Sequence, residues 1–242
     1  MFSVKPFSPD TEIIVIDGEP EITPELDRQI QSIWDAEQRR KKGVLFNGRR
    51  FSVSRIGGKR IEGFFVDYRL VIAQRIRPDL FGRLGVRPLA VSGLLSCRDG
   101  LVFGRRSAMM TQDANRWELA GSGGIDPFAA TDDGGIDLTR QLFDEIREET
   151  GIDGGHLYNP IPFCMIEDPD SHVIDIAIAL STALNGAAVV KKFLENDKEE
   201  YVALEIVDCS EIPNFLKTHQ GNVSEVSMIL LRERGMLEGS GL

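Results

Sequence analysis

Hydrophobic positions along this chain alternate between two periods, and their order predicts mixed strand and helix. Residues 11–16 (TEIIVI) read as a short strand closed by Asp17-Gly18. Thr23-Pro24 then opens a helix, with threonine at the N-cap and proline at the first helical position. Leu26, Ile30, Ile33 and Trp34 recur at helical spacing and form one apolar face through about Lys41, with Trp34 in the core. Residues 50–56 and 60–65 flank Gly57-Gly58, a hairpin signal. Residues 68–75 (YRLVIAQR) and their continuation to Leu84 are mostly helical, with an interruption at Pro78.

The pattern changes after residue 87. Residues 88–97 (PLAVSGLLSC) and 101–105 (LVFGR) are two apolar strands joined around Arg98-Asp99-Gly100. A polar segment leads to Trp117-Glu118-Leu119, where Trp117 anchors the loop, and residues 121–135 form a long glycine-rich loop. Residues 138–152 (LTRQLFDEIREETGI) are one helix ending at a glycine. Residues 161–166 and 172–180 pair as strands around Asp168-Pro169-Asp170-Ser171. Residues 201–207 (YVALEIV) are a further strand, and 210–219 and 223–237 close the chain as helices. Strands and helices without regular βα alternation predict an α/β fold of α+β type, an α/β/α sandwich on a mixed sheet. We expect two parts: residues 1–86 as an N-terminal α/β extension packed on the main domain, and residues 87–242 as that domain. There is no internal repeat.

Composition narrows the function classes. The 242 residues are 42% hydrophobic and 27% charged, as in globular proteins, and the net charge of −10 argues against a nucleic-acid binder. An anionic small molecule stays open, because a metal inverts charge locally. Cys97, Cys164 and Cys209 are far apart and form no CxxC pair, which fits a reducing cytoplasmic setting rather than a disulfide scaffold or zinc ribbon. His156, His172 and His219 are scattered too, so a histidine-rich zinc site is not expected. Residues 1–6 carry one lysine with no long apolar stretch behind, so no secretion signal is expected. No run reaches the roughly 18 apolar residues of a membrane span.

The chemistry concentrates in the helix at 138–152. Glu145, Glu148 and Glu149 stand at i, i+3 and i+4, so the three carboxylates lie on or near one face. Like charges at that spacing cost a few tenths of a kcal/mol per pair. They also sit near the C-terminal end, where the helix dipole disfavours anions. Two readings fit: a divalent cation that compensates them, or a solvated acidic face.

These residues carry a resemblance. The Nudix hydrolase pattern is Gly, five residues, Glu, seven residues, then Arg-Glu-apolar-any-Glu-Glu-any-Gly-apolar. Asp144-Glu145-Ile146-Arg147-Glu148-Glu149-Thr150-Gly151-Ile152 matches the second half at every specified place except the first. The strand–loop–helix–strand setting also matches, with Leu119-Ala120-Gly121-Ser122-Gly123-Gly124 as the approach. There are two departures: Asp144 stands for the arginine, and Ile136 for the upstream glutamate, behind an apparent insertion of roughly residues 126–135. In the family that pair resembles a salt bridge bracing loop and helix; Asp137 is a candidate helix cap in its place. Ile33-Trp34, Leu45-Phe46, Arg50-Phe51, Asp67-Tyr68-Arg69, Leu84-Gly85-Val86 and Leu101-Val102-Phe103 follow an order similar to the UDP-glucose and UDP-galactose diphosphatase branch.

The resemblance implies Mg²⁺, or Mn²⁺, held by Glu145, Glu148 and Glu149 against a diphosphate. Gly123 and Gly124 would let backbone approach the ligand. Glu199 and Glu200 are candidates for the proton acceptor, or are simply solvated. Arg105 or Arg106 would grip a phosphate bidentately, or lies on the surface. Arg147 balances Asp144 or faces solvent. The implied activity is hydrolysis of a nucleotide-sugar to UMP and sugar 1-phosphate. The alternatives are an ADP-ribose or other dinucleotide diphosphatase, and a non-catalytic nucleotide-binding module. The expected partner is a small-molecule substrate, with the N-terminal extension either covering the site or mediating a homodimer, and with neither nucleic acid nor membrane.

Overall fold

The structure is a computed structural model that describes residues 1–43, 45–110, 112–197 and 200–237. In chain order its elements are β1 (Ser3–Pro6), β2 (Glu12–Val15), α1 (Pro24–Arg40), β3 (Arg49–Gly57), β4 (Arg60–Asp67), α2 (Tyr68–Ile76) and α3 (Phe81–Leu84). There follow β5 (Leu89–Cys97), β6 (Gly100–Arg106), β7 (Trp117–Leu119), β8 (Ser122–Gly124) and α4 (Leu138–Thr150). The last are β9 (Leu157–Glu167), β10 (Ile174–Thr182), α5 (Gly186–Leu194), β11 (Tyr201–Val207), α6 (Ile212–Thr218) and α7 (Glu225–Glu233). The fold is mixed α and β, as expected. Among the described residues no helix is long and apolar enough to cross a membrane.

The chain divides into two compact units. The first comprises Met1–Ala90, Gly124–Gln141 and Met165–Asp175, and the second Val91–Gly123, Leu142–Cys164 and Ile176–Leu242.

In the first unit, β4 pairs parallel with β2 and antiparallel with β3. Gly57 pairs with Arg60, so the hairpin turns at Gly58-Lys59, one residue later than the sequence suggested. Helix α1 starts where its cap chemistry says. The Thr23 hydroxyl accepts from the Leu26 N–H at 3.3 Å, Pro24 follows, and acids fill the first turn and arginines the last. Its stripe of Leu26 and Ile30 packs with Val66, Leu70, Val71, Leu80, Leu84 and Val86 in one core cluster. Trp34 is buried and meets Tyr68 edge-on at 6.4 Å. Pro78 breaks the helix after α2 as expected, leaving a 3₁₀ turn before α3.

The insertion at 126–135 also belongs to this unit, and β2 holds it through backbone bonds. Val15 N–H donates to the Gly134 carbonyl at 2.8 Å, and Ile136 N–H to the Ile13 carbonyl at 2.9 Å. Asp137 does cap α4, with its carboxylate accepting from the Arg140 N–H at 3.0 Å. The Gln141 side-chain carbonyl accepts from the Asp126 N–H at 3.2 Å.

In the second unit β9, β10, β5, β6 and β11 are neighbours in that order, with β7 on β6 and β8 on β5. The β5–β6, β6–β7 and β6–β11 pairs are antiparallel. Helix α4 buries Leu142 and Ile146 completely, and these are the i and i+4 positions of its apolar stripe. It ends at Gly151, whose φ of 73° is the left-handed value a helix stop requires. Helix α5 was not expected from the sequence: Gly186 and the β-branched Val189 and Val190 weaken its propensity, and Asn185, whose side chain accepts from the Ala188 N–H at 2.9 Å, was its capping signal.

Candidate active site

The second unit gathers most of the residues singled out above. Glu149 and Glu148 are adjacent on α4, so their side chains leave the helix about 100° apart. Glu149 is 1% exposed, while Glu148 is half-buried. The Glu149 carboxylate accepts from the backbone N–H groups of Gly121 (2.5 Å) and Ser122 (3.2 Å), at the end of the loop that follows β7. Those two bonds lock the loop to the helix.

Beside it stands a buried polar group that sequence reasoning missed. Register places Glu118 of β7 opposite Gly104 of β6, with Tyr201 of β11 next to Arg106. A side chain at Gly104 would collide with the Tyr201 ring, so glycine clears the room in which the tyrosine lies. One oxygen of Glu118 accepts from the Tyr201 hydroxyl (2.9 Å) and the Ser122 hydroxyl (3.3 Å), and pairs with the Arg106 guanidinium. Another guanidinium nitrogen of Arg106 pairs with Glu200 at 3.2 Å, and its Nε donates to the Gln112 carbonyl, also at 3.2 Å. The signal that could have found Glu118 is an acid between Trp117 and Leu119, both of which are buried.

The charges do not balance. Burial pushes the Glu149 carboxyl well above the ordinary carboxylate range, and Glu118, Glu200 and Glu145 push it further, with Arg106 opposing. Burial likewise raises Glu118, against the pull of Arg106 and Tyr201. The Tyr201 phenol is driven up by burial and then by Glu118 and Glu149. Burial alone would weaken the charge on Arg106, but Glu118, Tyr201 and Glu200 outweigh it and keep the guanidinium ionised. Four carboxylates therefore face one buried cation.

Of the expected site residues, Glu145, Glu149 and Glu200 interact within this group. Glu145 is half-buried, and its carboxylate lies where a Cβ on Gly123 would be, so glycine leaves the room in which it sits. Arg106 pairs with Glu118 and Glu200 and donates to the Gln112 carbonyl, so its guanidinium is turned to those partners. Arg105 points to the exposed side, since neighbours on a strand face opposite ways, and donates weakly to the Asn115 carbonyl at 3.4 Å. Gly124 belongs to the first unit, beside Arg50. Glu199 lies outside the described residues. Trp117 packs on Phe215 at 5.6 Å and His219 at 5.3 Å, and anchors rather than stacks on a ligand. Arg147 pairs with Asp144.

Among the described residues no three acidic, His or Cys side chains converge closely enough to hold a metal ion by themselves. The donor chemistry nonetheless fits a hard divalent cation: oxygen ligands only, with excess negative charge in a dry setting. Mg²⁺ commonly takes one or two protein carboxylates and completes its shell with water and phosphate oxygens.

No protein-family model matches the sequence, and no curated protein matches it. Similar solved structures include a NUDIX-family hydrolase from Clostridium perfringens, 18% identical over 63% of this chain and 99% of its own, with a TM-score of 0.40. Another is an ADP-ribose pyrophosphatase from Streptococcus suis, 15% identical over 64% of this chain and 96% of its own, with a TM-score of 0.39. A third is a bifunctional NMN adenylyltransferase/ADP ribose pyrophosphatase from Francisella tularensis, complexed with AMP and a Mn ion. It is 13% identical over 69% of this chain and 47% of its own, with a TM-score of 0.45. These likenesses are distant, and the chemistry has to be read from the chain's own residues.

Proposed function

We propose that this protein is a Nudix-type diphosphatase. It hydrolyses the diphosphate of a nucleoside diphosphate linked to a second group, with UDP-glucose or UDP-galactose as substrate and UMP and sugar 1-phosphate as products. The observation that carries the reading is Glu149, a buried carboxylate surrounded by Glu118, Glu145 and Glu200 with one guanidinium among them. Such an arrangement is costly in an apo protein and useful to one that binds a cation. Bound Mg²⁺ or Mn²⁺ would neutralise the diphosphate and lower the pKa of the attacking water.

The chain's own residues do the rest. Glu145 and Glu149, with Glu148 beside them on α4, supply oxygen ligands. Glu200, steered by Arg106, accepts the proton of the water as its oxygen bonds to phosphorus and the phosphorus–oxygen bond of the diphosphate breaks. Gly123 keeps the approach to Glu145 open. The hydrolase domain in this reading is residues 87–242, with 1–86 as an N-terminal extension. The choice of UDP-sugar rests on the resemblance along the chain.

A panel of UDP-glucose, UDP-galactose, ADP-ribose, NADH and coenzyme A with Mg²⁺ or Mn²⁺ tests this. Turnover of the two UDP-sugars is expected. Turnover of ADP-ribose or coenzyme A without the UDP-sugars would keep the diphosphatase and overturn the substrate. Tight nucleotide binding with no hydrolysis across pH would make the protein a binding module.

A further inference from the structure

We infer that Glu118 is the positioning residue of this site: it touches no substrate, but through Arg106 and Ser122 it sets where Glu200 and Glu149 stand. The inference rests on the hydrolase reading and names a residue that neither the acidic helix nor the glycine loop contains.

The bonds run in one line. Glu200 pairs with Arg106 at 3.2 Å, and Arg106 pairs with Glu118. Glu118 accepts from the Ser122 hydroxyl at 3.3 Å, and the Ser122 N–H donates to Glu149 at 3.2 Å. Glu118 is the middle of that line. It also reaches Glu200 by a second route, because Tyr201, the next residue in the chain, donates its hydroxyl to the same oxygen at 2.9 Å. The Ser107 N–H fixes the Glu200 carbonyl at 2.8 Å, so the backbone there is held while the side chain is aimed by Arg106.

A plain structural role explains this poorly. Ion pairs buried this deeply are commonly no more stabilising than well-packed apolar residues of the same volume. An apolar trio at positions 106, 118 and 201 would fill the same core without the desolvation cost. What an apolar trio would not supply is direction: three donors on one carboxylate oxygen fix the angle at which Arg106 presents its other nitrogen to Glu200.

Glu118→Gln keeps the volume and removes the charge with which Arg106 is paired on one side, so the pull of Glu200 on the other goes unopposed. We expect kcat to fall about 100-fold with KM within about threefold, the pattern of a misplaced group rather than lost binding. Glu118→Gln combined with Glu200→Gln should be no worse than Glu200→Gln alone, because the first acts through the second. Independently of activity, amide exchange at Gly121 and Ser122 should quicken about tenfold in Glu118→Gln while Ile146 in α4 is unchanged. Unchanged kcat, multiplying effects in the double variant, or unaltered exchange would each overturn the proposal. Should Glu118→Gln fail to fold, Tyr201→Phe carries the same three readouts with smaller effects. If the wild type hydrolyses nothing in the panel, the hydrolase reading falls and amide exchange alone decides for or against Glu118.

Discussion

Two stretches of the segment between β7 and α4 are held by opposite means. Residues 121–123 are held by side-chain charge: Glu149 takes two backbone N–H groups, and Glu118 takes the Ser122 hydroxyl. Residues 126–136 are tied to β2 by backbone, through the bonds of Val15 and Ile136 with Gly134 and Ile13. A charge-held stretch depends on the identity of each side chain. A backbone-held stretch depends on having an N–H in the right place, which any residue but proline supplies. At position 136 the backbone N–H does the holding, and Asp144 is occupied by Arg147 on its own helix.

The largest expected effect is at the charge-held stretch. Glu149→Gln should lower hydrolysis by at least about 100-fold, since changes even one step removed from a metal ligand cost 10–100-fold. The same substitution should stabilise the cation-free protein at neutral pH. Glu149 is held above its ordinary 4.5 in the fold, so the folded chain binds more protons than the unfolded one. Its contribution is full below pH 4.5 and is lost as pH rises toward the higher folded value. Thermal melts without divalent ion should therefore show Tm falling above pH 4.5 in the wild type, less so in Glu149→Gln, and recovering in the wild type on adding Mg²⁺. A rising wild-type Tm over that range would mean Glu149 ionises freely.

Gly123→Ala sharpens the contrast between site and scaffold. The added Cβ displaces only the far end of the flexible Glu145 side chain. Stability should change by less than about 1 kcal/mol while activity drops about tenfold or more, by misplacing Glu145. A large loss of Tm with normal specific activity would reverse that assignment. On the backbone-held stretch, Ile136→Pro removes the N–H that the Ile13 carbonyl accepts and should cost about 1–3 kcal/mol in a denaturant melt. The smallest effect is expected from Asp144→Ala. Its pair with Arg147 is partly exposed, so the change should stay within about 0.5 kcal/mol and leave turnover alone. A strong loss there would show that the pair of Asp144 with Arg147 holds α4 in place.

Much of this architecture is legible in the chain because its signals are local. Thr23-Pro24, the glycines at 57–58, Pro78 and the stripe of α4 each act within a few residues, and each element stands where they place it, to within one residue at the hairpin. The acidic helix was found for the same reason. What escaped was non-local. Glu118, Arg106 and Tyr201 meet because β7, β6 and β11 lie side by side in a particular register. Two arginines in a row, Arg105 and Arg106, cannot reveal which faces inward until the strand's neighbours are known. Arg106 therefore looked like a phosphate ligand, although its guanidinium faces Glu118 on the neighbouring β7 and Glu200 just before the neighbouring β11. Glu148 and Glu149 pose the same problem on a helix, where adjacent side chains diverge.

The measurement closest to the central claim is a Mn²⁺ titration of the purified protein followed by electron paramagnetic resonance, which counts bound ions without requiring the right substrate. The wild type is expected to bind at least one Mn²⁺ per chain, with Mg²⁺ competing, and Glu149→Gln and Glu145→Gln are expected to weaken that binding by about tenfold or more. Equal binding by the wild type and both variants, or none by any of them, would contradict the account.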